Sequence, residues 1–164
     1  MKIENLTDVL HHELKDLHSA ETQLIEALPA MAQAASTESL RDAFEMHLEE
    51  TREHVRRLEE VSDMLSMGIT GETCEAMEGL IQEGEELIED NDPGDALDAA
   101  LISAAQRIEH YEIAAYGSAR TFASQLGHDE AERLLRTTLD EEKAADEKLN
   151  KIAMHDVNVE AMQR

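Results

Sequence analysis

Leucine, alanine, isoleucine and methionine recur every third or fourth residue through four long stretches of this chain, and acids interrupt each apolar stripe near its middle. That spacing is one face of an α-helix. No segment alternates apolar and polar residues as a half-buried strand would. The chain therefore has to fold as packed helices, with carboxylates at positions that face the interior. They are Glu21 on the first stripe, Glu50 on the second, Glu112 on the third, and Glu142 and Asp146 on the fourth, with His54 beside Glu50. A buried carboxylate costs several kcal/mol unless something pairs it.

The stripes also set the boundaries. The first helix opens near Asn5 or Thr7 and covers about residues 6–35, along Leu10, Leu14, Leu17, Glu21, Leu24 and Leu28. Pro29 removes one backbone donor and predicts a kink there rather than a stop. Ser36 or Thr37 caps a second helix over about residues 38–67, and Gly68 is placed to end it in a left-handed conformation. Residues 72–90 are too apolar for a linker and read as a short crossover helix. The run DNDPGD is a break, with Asp95 as N-cap of a third helix over about residues 96–126. Gly127 closes that helix, and Asp129 opens a fourth over about residues 129–154. The tail, 155–164, has no strong pattern and either hangs loose or packs on a partner.

Connection lengths give the topology. Turns of a few residues join helices 1 and 2, and helices 3 and 4, so both pairs are antiparallel hairpins. The long segment between the hairpins can run the length of a bundle, which is the ferritin-like connection. The expected fold is all-α: one ferritin-like four-helix bundle over residues 1–164, with a short crossover helix between helices 2 and 3.

Composition narrows the partners. With 14 basic and 38 acidic residues the net charge is −24, which repels nucleic acid and anionic lipid. No run approaches the roughly 18 apolar residues of a membrane span. The start, MKIENLTDVLHHELKD, is too polar and acidic for a signal peptide, so a cytoplasmic protein is expected. Cys74 is the only cysteine, which excludes an internal disulfide. Its neighbourhood, GETCEAMEG, lacks the positive charge that activates a thiol, so it reads as a small, partly buried residue.

The two hairpins repeat each other's chemistry. Glu50 follows Glu21 by 29 residues, and Glu142 follows Glu112 by 30. Each second helix offers a further ligand-type residue four positions on: His54 after Glu50 and Asp146 after Glu142. Residues four apart share a helix face. Glu21, Glu50, His54, Glu112, Glu142 and Asp146 thus form a candidate site for two metal ions bridged by carboxylates, which would offset the buried charge. Glu53 rivals His54 as a ligand, and Glu109, one turn before Glu112, is a further candidate. His47 and Tyr116 flank the set, either supporting ligands by hydrogen bonds or filling the core.

The stretches DLHSAETQLIEALPAMA, HLEETREHVRRLE, CEAMEGLI, AAQRIEHYEIAAYG and LLRTTLDEEKAADEKLNKIA are spread along nearly the whole chain. They resemble the YciE/YciF stress proteins of the ferritin-like superfamily. The resemblance implies a four-helix bundle, a homodimer, a di-metal site and a role in stress; it carries no particular reaction. One departure is informative. The wider ferritin-like pattern has Glu-x-x-His on two helices. Here helix 2 carries Glu-x-x-x-His, and Asp146 stands where a second histidine would. An oxygen-rich ligand set suits harder ions, so manganese competes with iron. The expected function is binding of two iron or manganese ions, with Fe²⁺ oxidation or reduction of O₂ or H₂O₂ under stress. The alternative is a non-catalytic dimeric stress or structural protein with a vestigial or regulatory metal site.

Overall fold

In a computed structural model that describes residues 2–163, the chain opens at Asn5, whose side chain accepts from the Asp8 amide at 3.1 Å. The Asp8 carboxylate returns the contact to the Asn5 amide at 3.2 Å, completing a capping box. From there α1 runs Leu6–Ala34, unbroken through Pro29. α2 covers Glu38–Leu65, α3 Glu75–Asp90, α4 Asp95–Gln125 and α5 Asp129–Ile152. A π-helical turn, Ala153–Val157, then leads into α6, Asn158–Ala161.

α1 and α2 form one antiparallel hairpin and α4 and α5 the other; α1 packs on α4 and α2 on α5. The crossover helix α3 lies against α1 and α4. Its first turn is fixed to α1: the Cys74 amide donates to Ser19 Oγ at 2.8 Å, and Gln23 Nε2 donates to the Cys74 carbonyl at 3.1 Å. Cys74 Sγ itself caps α3, accepting from the Met77 amide. The lone cysteine is thus a buried structural cap.

Three local expectations are corrected. α2 ends at Leu65, and the left-handed residue is Ser66 (φ 53°), not Gly68. The Ser66 and Met67 amides reach back to Asp63 and Ser62 carbonyls, and that closing turn selects the position of the bend. Asp95 is the first residue of α4 and Gly94 its N-cap. The tail is helical and docked: Val157 is buried, and α6 packs on α4. No helix among the described residues is long and apolar enough to cross a membrane.

The core is in two parts. One apolar cluster gathers Leu24, Leu28, Phe44, Leu101, Ile108 and Leu149. The other gathers Leu14, Leu17, Leu58, Tyr116, Leu135 and Leu139. The middle of all four long helices, including Glu21, His54, Glu112 and Glu142, falls between them.

A buried acid away from that layer, Asp98, ties α4 to the turn between α1 and α2. Asp98 on α4 is fully buried and accepts from the Ser36 amide at 2.9 Å, the Thr37 amide at 2.7 Å and the Thr37 hydroxyl at 2.6 Å. Thr37 is the N-cap of α2, but its side chain is turned outward from the helix to meet Asp98. Asp98→Ala strands two backbone donors, so it should lower the unfolding free energy by about 2–4 kcal/mol. Urea denaturation measures this; a loss below about 1 kcal/mol would show that water replaces the carboxylate at little cost.

Candidate metal centre

Each long helix contributes from the middle of its buried face. α1 gives Glu21, α2 gives His47 and His54, α4 gives Glu109 and Glu112, and α5 gives Glu142; all six are buried. Two groups have ligand atoms mutually within 4.8 Å: Glu21, His54 and Glu142, and His47, Glu109, Glu112 and Glu142. Glu142 belongs to both. Its Oε1 lies 2.9 Å from His54 Nδ1, and its Oε2 lies 3.7 Å from His47 Nε2. Glu21 Oε1 is 3.2 Å from His54 Nδ1, and Glu109 Oε1 is 3.2 Å from His47 Nε2.

The cluster is short of hydrogen bonds. Among the described residues, nine buried side-chain N and O atoms lack a hydrogen-bond partner, and all but Arg120 Nε belong to these six side chains. Both oxygens of Glu112 and both of Glu142 are among them. The close approaches bring charges together without the alignment of hydrogen bonds. Buried polar atoms are normally satisfied. Orphans converging from four helices are able to hold a metal ion, and the mixture of carboxylate oxygen and imidazole nitrogen suits a divalent transition metal.

The surrounding contacts orient these groups. Tyr116, fully buried, donates its hydroxyl to Glu21 Oε1. His54 Nε2 meets Glu141 Oε2 at 2.9 Å, and Arg57 grips the same carboxylate, with Nη2 on Oε1 at 3.0 Å. An imidazole tied at Nε2 presents Nδ1 inward. His47 Nδ1 lies 3.4 Å from Glu50 Oε2, which leaves its Nε2 facing the cluster.

Burial or the neighbouring acids raise the proton affinity of His47, His54, Glu109, Glu112 and Glu142. Burial lifts the Glu109 and Glu112 carboxyls well above the usual range, and neighbouring glutamates lift them further. Burial also raises Glu142, assisted by Glu21 and opposed by His54. Burial works against a charged His54, but Glu141, Glu142 and Glu21 outweigh it and push the imidazole up to about 12. His47 is raised too, burial being outweighed by Glu109 and Glu50. Burial would raise Glu141, but His54 and Arg57 hold it down at about 2.

The structure brings together Glu21, His54, Glu112 and Glu142 as the sequence predicts, and adds Glu109. Three candidates stand elsewhere. Glu50 is a third exposed and meets His47 Nδ1 at 3.4 Å, outside both groups of convergent ligand atoms. At about 100° per residue, His47 and His54 both lie some 40–60° to one side of Glu50, so the stripe centre runs through the histidines. Asp146 faces α4, accepting from Gln106 Nε2 at 3.1 Å with His110 at 3.3 Å. Four residues beyond Glu142 is about 40° past it, enough to turn Asp146 out of the cluster. Glu53 is half-buried and paired with Arg56 and Arg57. His47 lines the centre directly instead of supporting it. Glu141 escapes a search for buried stripes because it lies beside the stripe; its signal is spatial pairing with Arg57.

Two antiparallel hairpins, a crossover helix and a buried Glu/His cluster define a ferritin-like helical bundle with a group of side chains able to hold a metal. The chain belongs to the family described as Domain of unknown function (DUF892), which it matches over residues 5–162. It is 48% identical over 162 residues to Protein YciF of Escherichia coli strain K12, spanning 98% of both chains. The crystal structure of the E. coli stress protein YciF superposes with a TM-score of 0.92 at 47% identity, covering 95% of this chain and 99% of that one. YcfI of Rhodopseudomonas palustris, titled a candidate structural protein, gives 0.89 at 42% identity, covering 93% and 97%. The resemblance to YciE/YciF proteins read from the sequence is borne out.

The raised values carry a sign. His54, His47, Glu109, Glu112 and Glu142 all bind protons more tightly folded than unfolded, so each loses stabilising effect as pH rises. For His54 the window runs from the ordinary histidine value of 6.5 up to about 12. Chelator-treated protein should therefore melt at a lower temperature at pH 8.5 than at pH 6, because the histidines of the unfolded chain discharge across that range while folded His54 keeps its proton. Glu112→Leu should flatten that dependence and stabilise the metal-free chain by about 1–4 kcal/mol, since an apolar group replaces an unpaired buried acid. Calorimetry across pH tests both; a melting temperature that climbs with pH would contradict the protonated cluster.

Proposed function

We propose that the buried cluster holds two divalent ions, iron or manganese, and that the protein oxidises Fe²⁺ with O₂ or H₂O₂ as electron acceptor. The observation that carries this reading is the set of orphaned buried atoms on six side chains from four helices. Charge supports it: Glu21, Glu109, Glu112 and Glu142 carry four negative charges when ionised, which two divalent ions would neutralise. One ion would rest on Glu21, His54 and Glu142, the other on His47, Glu109, Glu112 and Glu142, with Glu142 shared. Bound iron would supply one-electron chemistry toward O₂ or peroxide.

The chain's own residues do the rest. Glu141 and Arg57 fix the His54 ring, and Tyr116 fixes Glu21. His54 gives up its proton when its Nδ1 becomes a ligand. The apolar clusters on either side keep bulk water out. Exposed Met154, Val159 and Met162 near the C-terminus support pairing with a second copy. A stress role follows from kinship with the E. coli protein described as a stress protein.

The second reading is a non-catalytic dimeric stress or structural protein with a regulatory metal; the description of the R. palustris relative favours it. Elemental analysis of protein reconstituted without oxygen should find two ions per chain, and Glu142→Ala, which removes the shared ligand, should lose both. Mixing the ferrous protein with O₂ or H₂O₂ should oxidise iron well above the buffer rate. Two ions without faster oxidation support the second reading. A folded protein that retains no metal overturns both.

A further inference from the structure

A cavity of about 130 Å³ opens between α2 and α5 and runs inward to the cluster. Its wall is Leu24, Leu28, Phe44, Ile108 and Leu149, and buried His47 and Glu109 close the inner end. His47 Nε2 and Glu109 Oε2 are among the buried atoms without a hydrogen bond, so its floor is polar, with His47 Nε2 lying 3.2 Å from the other Glu109 oxygen. At the exposed end sit Met46 and Lys148. Among the described residues Lys2, Lys15, Lys143 and Lys151 each lie within ion-pair reach of a carboxylate. Lys148 alone of the lysines does not; its ammonium rests 3.8 Å from Met46 Sδ across the gap between α5 and α2. In a chain of net charge −24, a lysine without an acid partner at the mouth of a cavity is a specific placement.

This lining does not suit a conduit for metal ions. A hydrated cation would shed water against hydrocarbon and pass an ammonium, and both steps are unfavourable. An apolar guest gains instead. A cavity of roughly 150 Å³ lined by aliphatic side chains holds a benzene-sized molecule. We propose that this cavity is a binding site for a short amphipathic monocarboxylate of about six carbons, or a single aromatic ring in their place. The carboxylate pairs with Lys148 at the mouth. The apolar body fills the cavity and its far end abuts His47 and Glu109. The reverse orientation would set the anion against buried Glu109.

The test uses the full chain treated with chelator, so its outcome is independent of metal binding. Calorimetric titration compares butanoate, hexanoate, hexan-1-ol and hexylammonium. Each added methylene between butanoate and hexanoate should tighten binding about fourfold. Hexanoate should bind about fivefold tighter than hexan-1-ol, as a half-exposed ion pair allows, and hexylammonium should bind weakest. Lys148→Met should remove the preference for hexanoate over hexan-1-ol while keeping the affinity for the alcohol. Ala145→Leu, at a half-buried position of the wall, should abolish binding of both with an unchanged circular dichroism spectrum. No binding by wild type, hexanoate bound no better than hexan-1-ol, unchanged selectivity in Lys148→Met, or undiminished binding in folded Ala145→Leu would each overturn the proposal.

Discussion

Everything in this bundle is arranged around four carboxylates and two imidazoles that have been removed from water. Free energy of that kind is unfavourable until a positive charge is supplied. The protein supplies part of it: His54 and His47 hold protons against the pull of burial because acids face them. It supplies another part as hydrogen bonds at the edge of the cluster, from Tyr116 and from the Arg57–Glu141 pair through His54. The remainder is left open, which is why the orphaned atoms concentrate in one place. A fold selected for stability alone would carry leucine at Glu112, flanked on α4 by Ile108 and Ala115.

Periodicity made the bundle readable from sequence. Long apolar stripes, two short turns and one long connection leave few alternatives, and the carboxylates on α1, α4 and α5 could be located because each interrupts a stripe at its centre. The limit was angular. Glu50 and His54 are four residues apart and both pass as inward-facing, yet the packing of α2 against α1 and α5 centres its buried face on His47 and His54. Asp146 failed for the same reason on α5. A shift of about 40° in how a helix sits decides such positions, and it is set by partners that a single helix does not display. Helix ends were limited differently. Gly68 was the obvious left-handed residue, but Ser66 takes that role because the backbone closes two residues earlier.

The surface and the site show opposite uses of acid. Most of the 38 acidic residues are solvated, and many pair with a basic residue three or four positions away on the same helix, as in Glu53 with Arg56 and Glu130 with Arg133. Such pairs contribute little each. Asp98 is different: it is buried, and both of its oxygens are engaged by the turn between α1 and α2. Buried acid alone therefore does not mark the centre. Buried acid with unused lone pairs does.

The two apolar clusters share no residue, and the polar layer lies between them. Ordinary hydrophobic cohesion is thus interrupted halfway along the bundle. What bridges the halves is the continuity of the helices and whatever charge balance the middle layer achieves. In the metal-free chain each half then has reason to loosen on its own, and a bound cation would act as the bolt that makes them open together. Amide exchange followed helix by helix would reveal one unit or two, and so would report how far an ion governs the unity of the fold.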